Sequence, residues 1–178
     1  DILNDGEVDS VLAGIAGVVV GANSTLSITT EGTVTSASGV AVFAASDGDD
    51  NIITIETMGS ITGETGIVAA LSGDNTALDI TTDGSVSATS GSGIFAATIG
   101  KNGSVDITTN GTVDAAGSGV VALNTGGSTD IQIGDTVSAG GLFGAFALGG
   151  GAGSANIDID GAISGADIGA AAVTIGSG

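Results

Sequence analysis

"LDITTDGSV" at Leu78–Val86 and "VDITTNGTV" at Val105–Val113 are one nine-residue phrase written twice. It recurs as "LSITTEGTV" at Leu26–Val34 and as "ITIETMGSI" at Ile53–Ile61, so the spacing of the copies decides the fold before any single residue does. Aligned on the apolar residue after the turn, the copies fall at Val8, Val34, Ile61, Val86, Val113, Val137 and Ile163, with gaps of 26, 27, 25, 27, 24 and 26 residues. Seven units of about 26 residues account for residues 1–178 as one domain.

Each unit alternates apolar and polar residues, as in Leu26-Ser27-Ile28-Thr29, then turns at a glycine and resumes at the Val or Ile anchor. A third apolar segment follows: "GVAVFAA" at Gly39–Ala45, "GIVAAL" at Gly66–Leu71, "GIFAAT" at Gly93–Thr98 and "GVVALN" at Gly119–Asn124. Period-two alternation and β-branched residues read as strands. A 26-residue unit of three short strands cannot bury its own apolar face and must stack on its neighbours. The fold expected is all-β: a single β-solenoid of seven turns with three short strands per turn. A helical reading fails for lack of a 3.6-residue period and because about one residue in five is glycine. Propeller blades need about 40 residues or more.

The chain has 34 glycines and no proline, cysteine or histidine. Its interior must come from Ala, Val and Ile, since there are four phenylalanines and no tryptophan or tyrosine. Twenty acidic residues against the single basic Lys101 give a net charge of −19, which excludes nucleic-acid partners and argues against anionic membranes. Disorder is the usual reading of such acidity, but Val, Ile and Thr recurring in register oppose it. Without cysteine there is no thiolate metal site, and the redox compartment stays open. The strongest apolar run, Val11–Val20, is too short to span a bilayer as a helix. The absence of an initiator Met before Asp1 reads as a mature product or an excised piece.

The stretch "DITTDGSVSATSGSGIFAAT", residues 79–98, resembles the glycine-rich repeats of right-handed parallel β-helices in autotransporter passenger domains and filamentous-haemagglutinin-like secreted adhesins. The resemblance rests on repeat grammar across all seven copies. It implies a bacterial extracellular or cell-surface setting. Right-handedness follows from it and from the crossover preference of parallel strands.

In a parallel stack, equivalent residues lie about 4.8 Å apart, so columns carry the meaning. Ile28, Ile55, Ile80, Ile107, Ile133 and Ile159 are expected to point inward. The glycine column Gly6, Gly32, Gly59, Gly84, Gly111 and Gly161 is preceded mostly by acidic residues or Asn, which reads as a turn needing positive φ. "GDTV" reverses that order at Gly134-Asp135, so an altered turn is expected there. Two threonine columns are expected outside: Thr29, Thr81 and Thr108, and Thr30, Thr57, Thr82 and Thr109. They suggest a strand-stabilising ladder or, as a sharper alternative, an ice- or surface-binding face. Asp79, Asp106 and Asp158 are expected to stack as a repelling carboxylate column that cations would relieve.

The loop "SDGDDN" offers Asp47, Asp49, Asp50 and Asn51 as oxygen ligands, a calcium candidate. It lacks EF-hand spacing and the nonapeptide of calcium β-rolls, so a solvated acidic loop is the alternative. No other cofactor is expected. Catalysis is not expected, since there is no His or Arg to carry proton transfer or stabilise developing negative charge. "GGLFGAFALGGGAG" at Gly140–Gly153 lacks the Lys of a phosphate loop. Its Leu142, Phe143, Phe146 and Leu148 read as an apolar patch peculiar to the sixth turn. Asp1-Ile2 aligns with Ser27-Ile28, and "AVTIGSG" stops where a return loop would reach the next first strand. Asp1, Ile2, Leu3, Val173 and Ile175 are therefore expected at terminal turns that pair with other copies, head to tail. The expected function is an extracellular structural filament subunit. A stalk segment of a longer adhesin is the alternative.

Overall fold

The computed structural model describes residues 1–176, leaving Ser177 and Gly178 of the terminal "AVTIGSG" outside. Three seven-stranded parallel sheets wind into a β-solenoid, each turn contributing one strand to each sheet. The first sheet takes Ile2–Asn4, Thr25–Thr30, Ile52–Thr57, Ala77–Thr82, Ser104–Thr109, Ser128–Ile133 and Ala155–Ile159. The second takes the anchor strands, Val8–Ser10, Val34–Ser36, Ile61–Gly63, Val86–Ala88, Val113–Ala115, Val137–Ala139 and Ile163–Ser164. The third takes Ala13–Val20, Val40–Asp47, Thr65–Ser72, Ile94–Ile99, Val120–Asn124, Phe143–Gly151 and Ile168–Gly176. The seven anchors form one column in unbroken register.

Alternation selects the interior. Leu26 and Ile28 are buried while the alternating Ser27 and Thr29 are not, and Ile53 and Ile55 repeat this a turn later. Full burial of an Ile or Val contributes about 1.5–3 kcal/mol relative to exposure. No turn holds enough of them to stand alone, so stability comes from stacking. Backbone N–H groups donate to the adjacent turns, as from Val34 to the Ser60 carbonyl and from Ile61 to that of Ser85, at 2.9 and 2.8 Å.

Hydrogen-bond register corrects one expected column. Ile107 pairs with Ile131, and Ile131 with Ile157. Ile133 and Ile159 lie two residues further on, in the column of Thr30, Thr57, Thr82 and Thr109. Those threonines are therefore inside and almost wholly buried, because strict alternation from Ile28 points Thr30 inward too. The hydroxyls of Thr30, Thr57 and Thr82 have no hydrogen-bond partner.

The glycine column is structural for a different reason than expected. None of Gly6, Gly32, Gly59, Gly84, Gly111 and Gly161 has positive φ. A Cβ on Gly32, Gly59, Gly84 or Gly111 would overlap the carbonyl oxygen of the column glycine one turn below, and on Gly161 it would overlap the Asp135 carbonyl. Close backbone approach, not dihedral freedom, demands glycine there. Positive φ sits at the third corner, at Gly48 and Asp50, Gly73 and Asn75, and Gly100 and Asn102. The turn at Gly134-Asp135 does differ. Elsewhere two successive N–H groups share one carbonyl, as Asp83 and Gly84 do on Thr57 at 2.8 and 3.2 Å, whereas only Gly134 reaches Thr109, at 2.7 Å.

Candidate functional site

The outer surface divides by sheet. On the first sheet, Asp79, Asp106 and Asp130 stack directly, flanked by Thr54 below and Asn156 above. Asp130 thus takes the place expected for Asp158, which pairs with Gln132 in the neighbouring column. Partial burial pushes the Asp106 carboxyl above the ordinary carboxylate range, and the charges of Asp79 and Asp130 push it further, while a hydrogen bond with Ser104 opposes them. The column beside it reads Thr29, Glu56, Thr81, Thr108 and Gln132. With Thr30, Thr57, Thr82 and Thr109 inside, the expected double threonine face is a single interrupted file.

The third corner carries the "SDGDDN" residues, which the fold uses as rung-to-rung links. Asp49 Oδ1 accepts the Asp74 N–H, and Asp74 Oδ1 accepts that of Lys101, both at 2.8 Å. Asn102 donates to Asn75 Oδ1 at 3.1 Å, and Asn75 donates to Asp50 Oδ1 at 3.2 Å. Asn51 is inside: it accepts from the Ser24 N–H and donates to Ser46 Oγ, each at 2.8 Å. Asp47 is exposed at the end of its strand. Asn51 thus engages its side-chain amide in internal hydrogen bonds, and among the described residues no group of three or more acidic side chains is placed to hold a metal ion.

A shallow groove runs along the second sheet past Ser87, Thr89, Asp114, Ala116, Ser138 and Gly140. Asp114 is its one ionisable residue, so it offers hydrogen bonds but no acid–base pair.

The third sheet presents apolar residues on both faces. Val42, Ala44, Ile67, Ala69, Ile94 and Ala96 point inward and are buried. Phe43, Val68, Phe95, Val121 and Phe146 form one outward column, and Ala45, Ala70, Ala97, Leu123 and Leu148 form the next. Phe146 and Leu148, expected as a local patch on the sixth turn, are one rung of a face that runs the length of the rod. Phe143 packs beside Phe146 with ring centroids 4.7 Å apart. Leu142 is exposed. Alternation in the third segments carried the signal, but wholly apolar strands hide which half faces out.

At both ends the described residues leave all three sheets with an unpaired edge strand. The column members at one end are the half-buried Ile2 and Val8 and the buried Ile15, and at the other the half-buried Ile157 and Ile163 and the exposed Ala170. Of the residues expected at the terminal turns, Ile2 occupies an interior column, whereas Leu3 pairs with Thr29 and Val173 with Leu148 on outer faces. Asp1 and Ile175 are exposed. Compared with protein-family models, curated proteins and solved structures, the chain matches none.

Proposed function

We propose that this β-solenoid is a structural element of an extracellular or cell-surface bacterial assembly, in which other copies continue the stack head to tail. The observation that carries this reading is the unbroken column register along the described rungs. Ile157 and Ile2 share one column, Ile163 and Val8 a second, and Ala170 and Ile15 a third. A copy placed on the open end sets each of these apolar residues over its own column partner and supplies partners to unpaired strands, the heterologous geometry that grows filaments. The bacterial, extracellular setting rests on the resemblance of the repeats to secreted adhesins. The acidic surface supports it by opposing disordered lateral aggregation.

Negative-stain electron microscopy of the purified 178-residue chain tests the reading. Fibres with an axial repeat near seven rungs, about 34 Å at 4.8 Å per rung, are expected, and Ile163→Lys should abolish them while leaving the far-UV circular dichroism unchanged. Short monodisperse particles at high concentration would refute head-to-tail growth and assign further rungs to a single polypeptide, as in a stalk.

A further inference from the structure

We propose that the outer face of the third sheet seats a second copy of this chain, packed face to face, so that two solenoids run side by side. The two central columns of this face contain only Ala, Val, Leu and Phe, from Ala16 and Val18 on the first rung to Ala171 and Val173 on the last. The central rungs are partly exposed at these positions. Contiguous apolar surface of this extent marks an interaction site.

Area, charge and shape favour a copy of the same chain. Seven strands at about 4.8 Å, by about five residues at 3.3 Å, give roughly 550 Å² per copy and 1,100 Å² for the pair. That clears the roughly 1,000 Å² in total that separates a biological interface from an incidental contact. Within the strands of this sheet the net charge of −19 is represented by Asp47 alone, exposed at the margin of the face, at the end of its strand. Two copies meeting here bring no like charges into contact, whereas any other face would oppose carboxylates.

The side-chain sizes are also self-complementary. Each rung pairs one residue of the phenylalanine column with one of the alanine column, as Phe43 with Ala45 and Phe95 with Ala97. A two-fold axis parallel to the rod, running between the columns, sets Phe43 and Phe95 over the partner's Ala45 and Ala97, an isologous contact. Sheets packed about 10 Å apart interdigitate in this way.

Sedimentation velocity of the Ile163→Lys protein, in which end-to-end growth is blocked, at physiological and at molar salt, tests the proposal. A dimer is expected, tighter at molar salt because screening shortens the repulsion between the remaining carboxylates. Ala97→Glu should shift it to monomer by at least tenfold in Kd with unchanged circular dichroism; Ala70→Lys does the same should the first variant fold poorly. The face variants are made in the Ile163→Lys background, which removes only end-to-end growth, so failure of axial assembly and failure of lateral pairing read out separately. A monomer at molar salt overturns the proposal. A dimer indifferent to both face variants does so as well, and a monomer that instead adsorbs to phosphatidylcholine vesicles through this face would assign it to a lipid surface.

Discussion

Gly84→Ala and Gly6→Ala should move stability in opposite directions, although both change a glycine of the same column. Gly84 has no positive φ, so alanine meets no dihedral strain there. Its Cβ would overlap the Gly59 carbonyl oxygen, and the Met58 carbonyl lies close by. The obstacle is backbone fixed in a ladder, not a side chain that can swing away, which places the cost towards the upper end of the usual 1–3 kcal/mol for overpacking. Replacing glycine returns about 0.4–1 kcal/mol by restricting the unfolded chain. The net loss is about 2 kcal/mol, or roughly 4–8 °C in Tm for a chain of this length. Gly6 has nothing within 4 Å of a Cβ, so only the unfolded-chain gain remains, about 0.4–1 kcal/mol. The chain contains its own control at Asp135, where a Cβ stands in the column and the second shared hydrogen bond is missing. Asp135→Gly should restore that bond and raise Tm. Thermal melts followed by circular dichroism measure all three. A Gly84→Ala protein melting at or above wild type would refute close approach as the reason for the glycine column.

The remaining expectations concern polar groups. Asp106→Asn should stabilise by about 0.2–1 kcal/mol at pH 7, the scale of exposed charge pairs. The raised folded-state pKa means the native carboxyl binds its proton more tightly than the unfolded one, so wild-type stability falls as pH rises through that value. The gain from Asn must disappear below the ordinary carboxylate pKa of 3.8; a gain independent of pH would refute the electrostatic account. Thr57→Val removes a buried hydroxyl with no partner while keeping the shape, so chemical denaturation should show an unchanged midpoint or a gain of up to about 1 kcal/mol. Asn124→Ala should cost about 2–4 kcal/mol by the same assay, because its buried amide donates to the Gly103 and Ser128 carbonyls at 2.8 and 3.0 Å and accepts the Gly126 N–H at 3.1 Å.

The seven-rung solenoid was legible in the residues because its two periods are local. Alternation of Leu26, Ile28 and their polar neighbours marks strands, and the 24- to 27-residue return of the anchor marks rungs. In "DIQIGDTV", Ile131 and Ile133 both point inward, and nothing local says which one continues the column of Ile107. Only the hydrogen-bonded register chooses Ile131, and that choice moves Asp130 into the carboxylate stack and Ile133 above Thr109. The buried threonine file was within reach of the alternation rule, yet Thr is read as a surface residue until its neighbours are seen to close over it. The inward turn of Asn51 was hidden for a similar reason, since it adjoins three exposed aspartates in the chain but turns inward at the corner.

The apolar outer face of the third sheet is the clearest case of what chain order conceals. "VAVFAA" carries apolar residues on both sides of the pleat, and composition assigns all of them to a core. The coil has one inside, so half of each such strand faces outward. Repetition at a fixed spacing determined that these rungs stack. Which residues lie over one another, which corner demands glycine and which face is left apolar were decided by tertiary register, because stacking energy depends on neighbours about 26 residues away in the chain and only about 4.8 Å away in space.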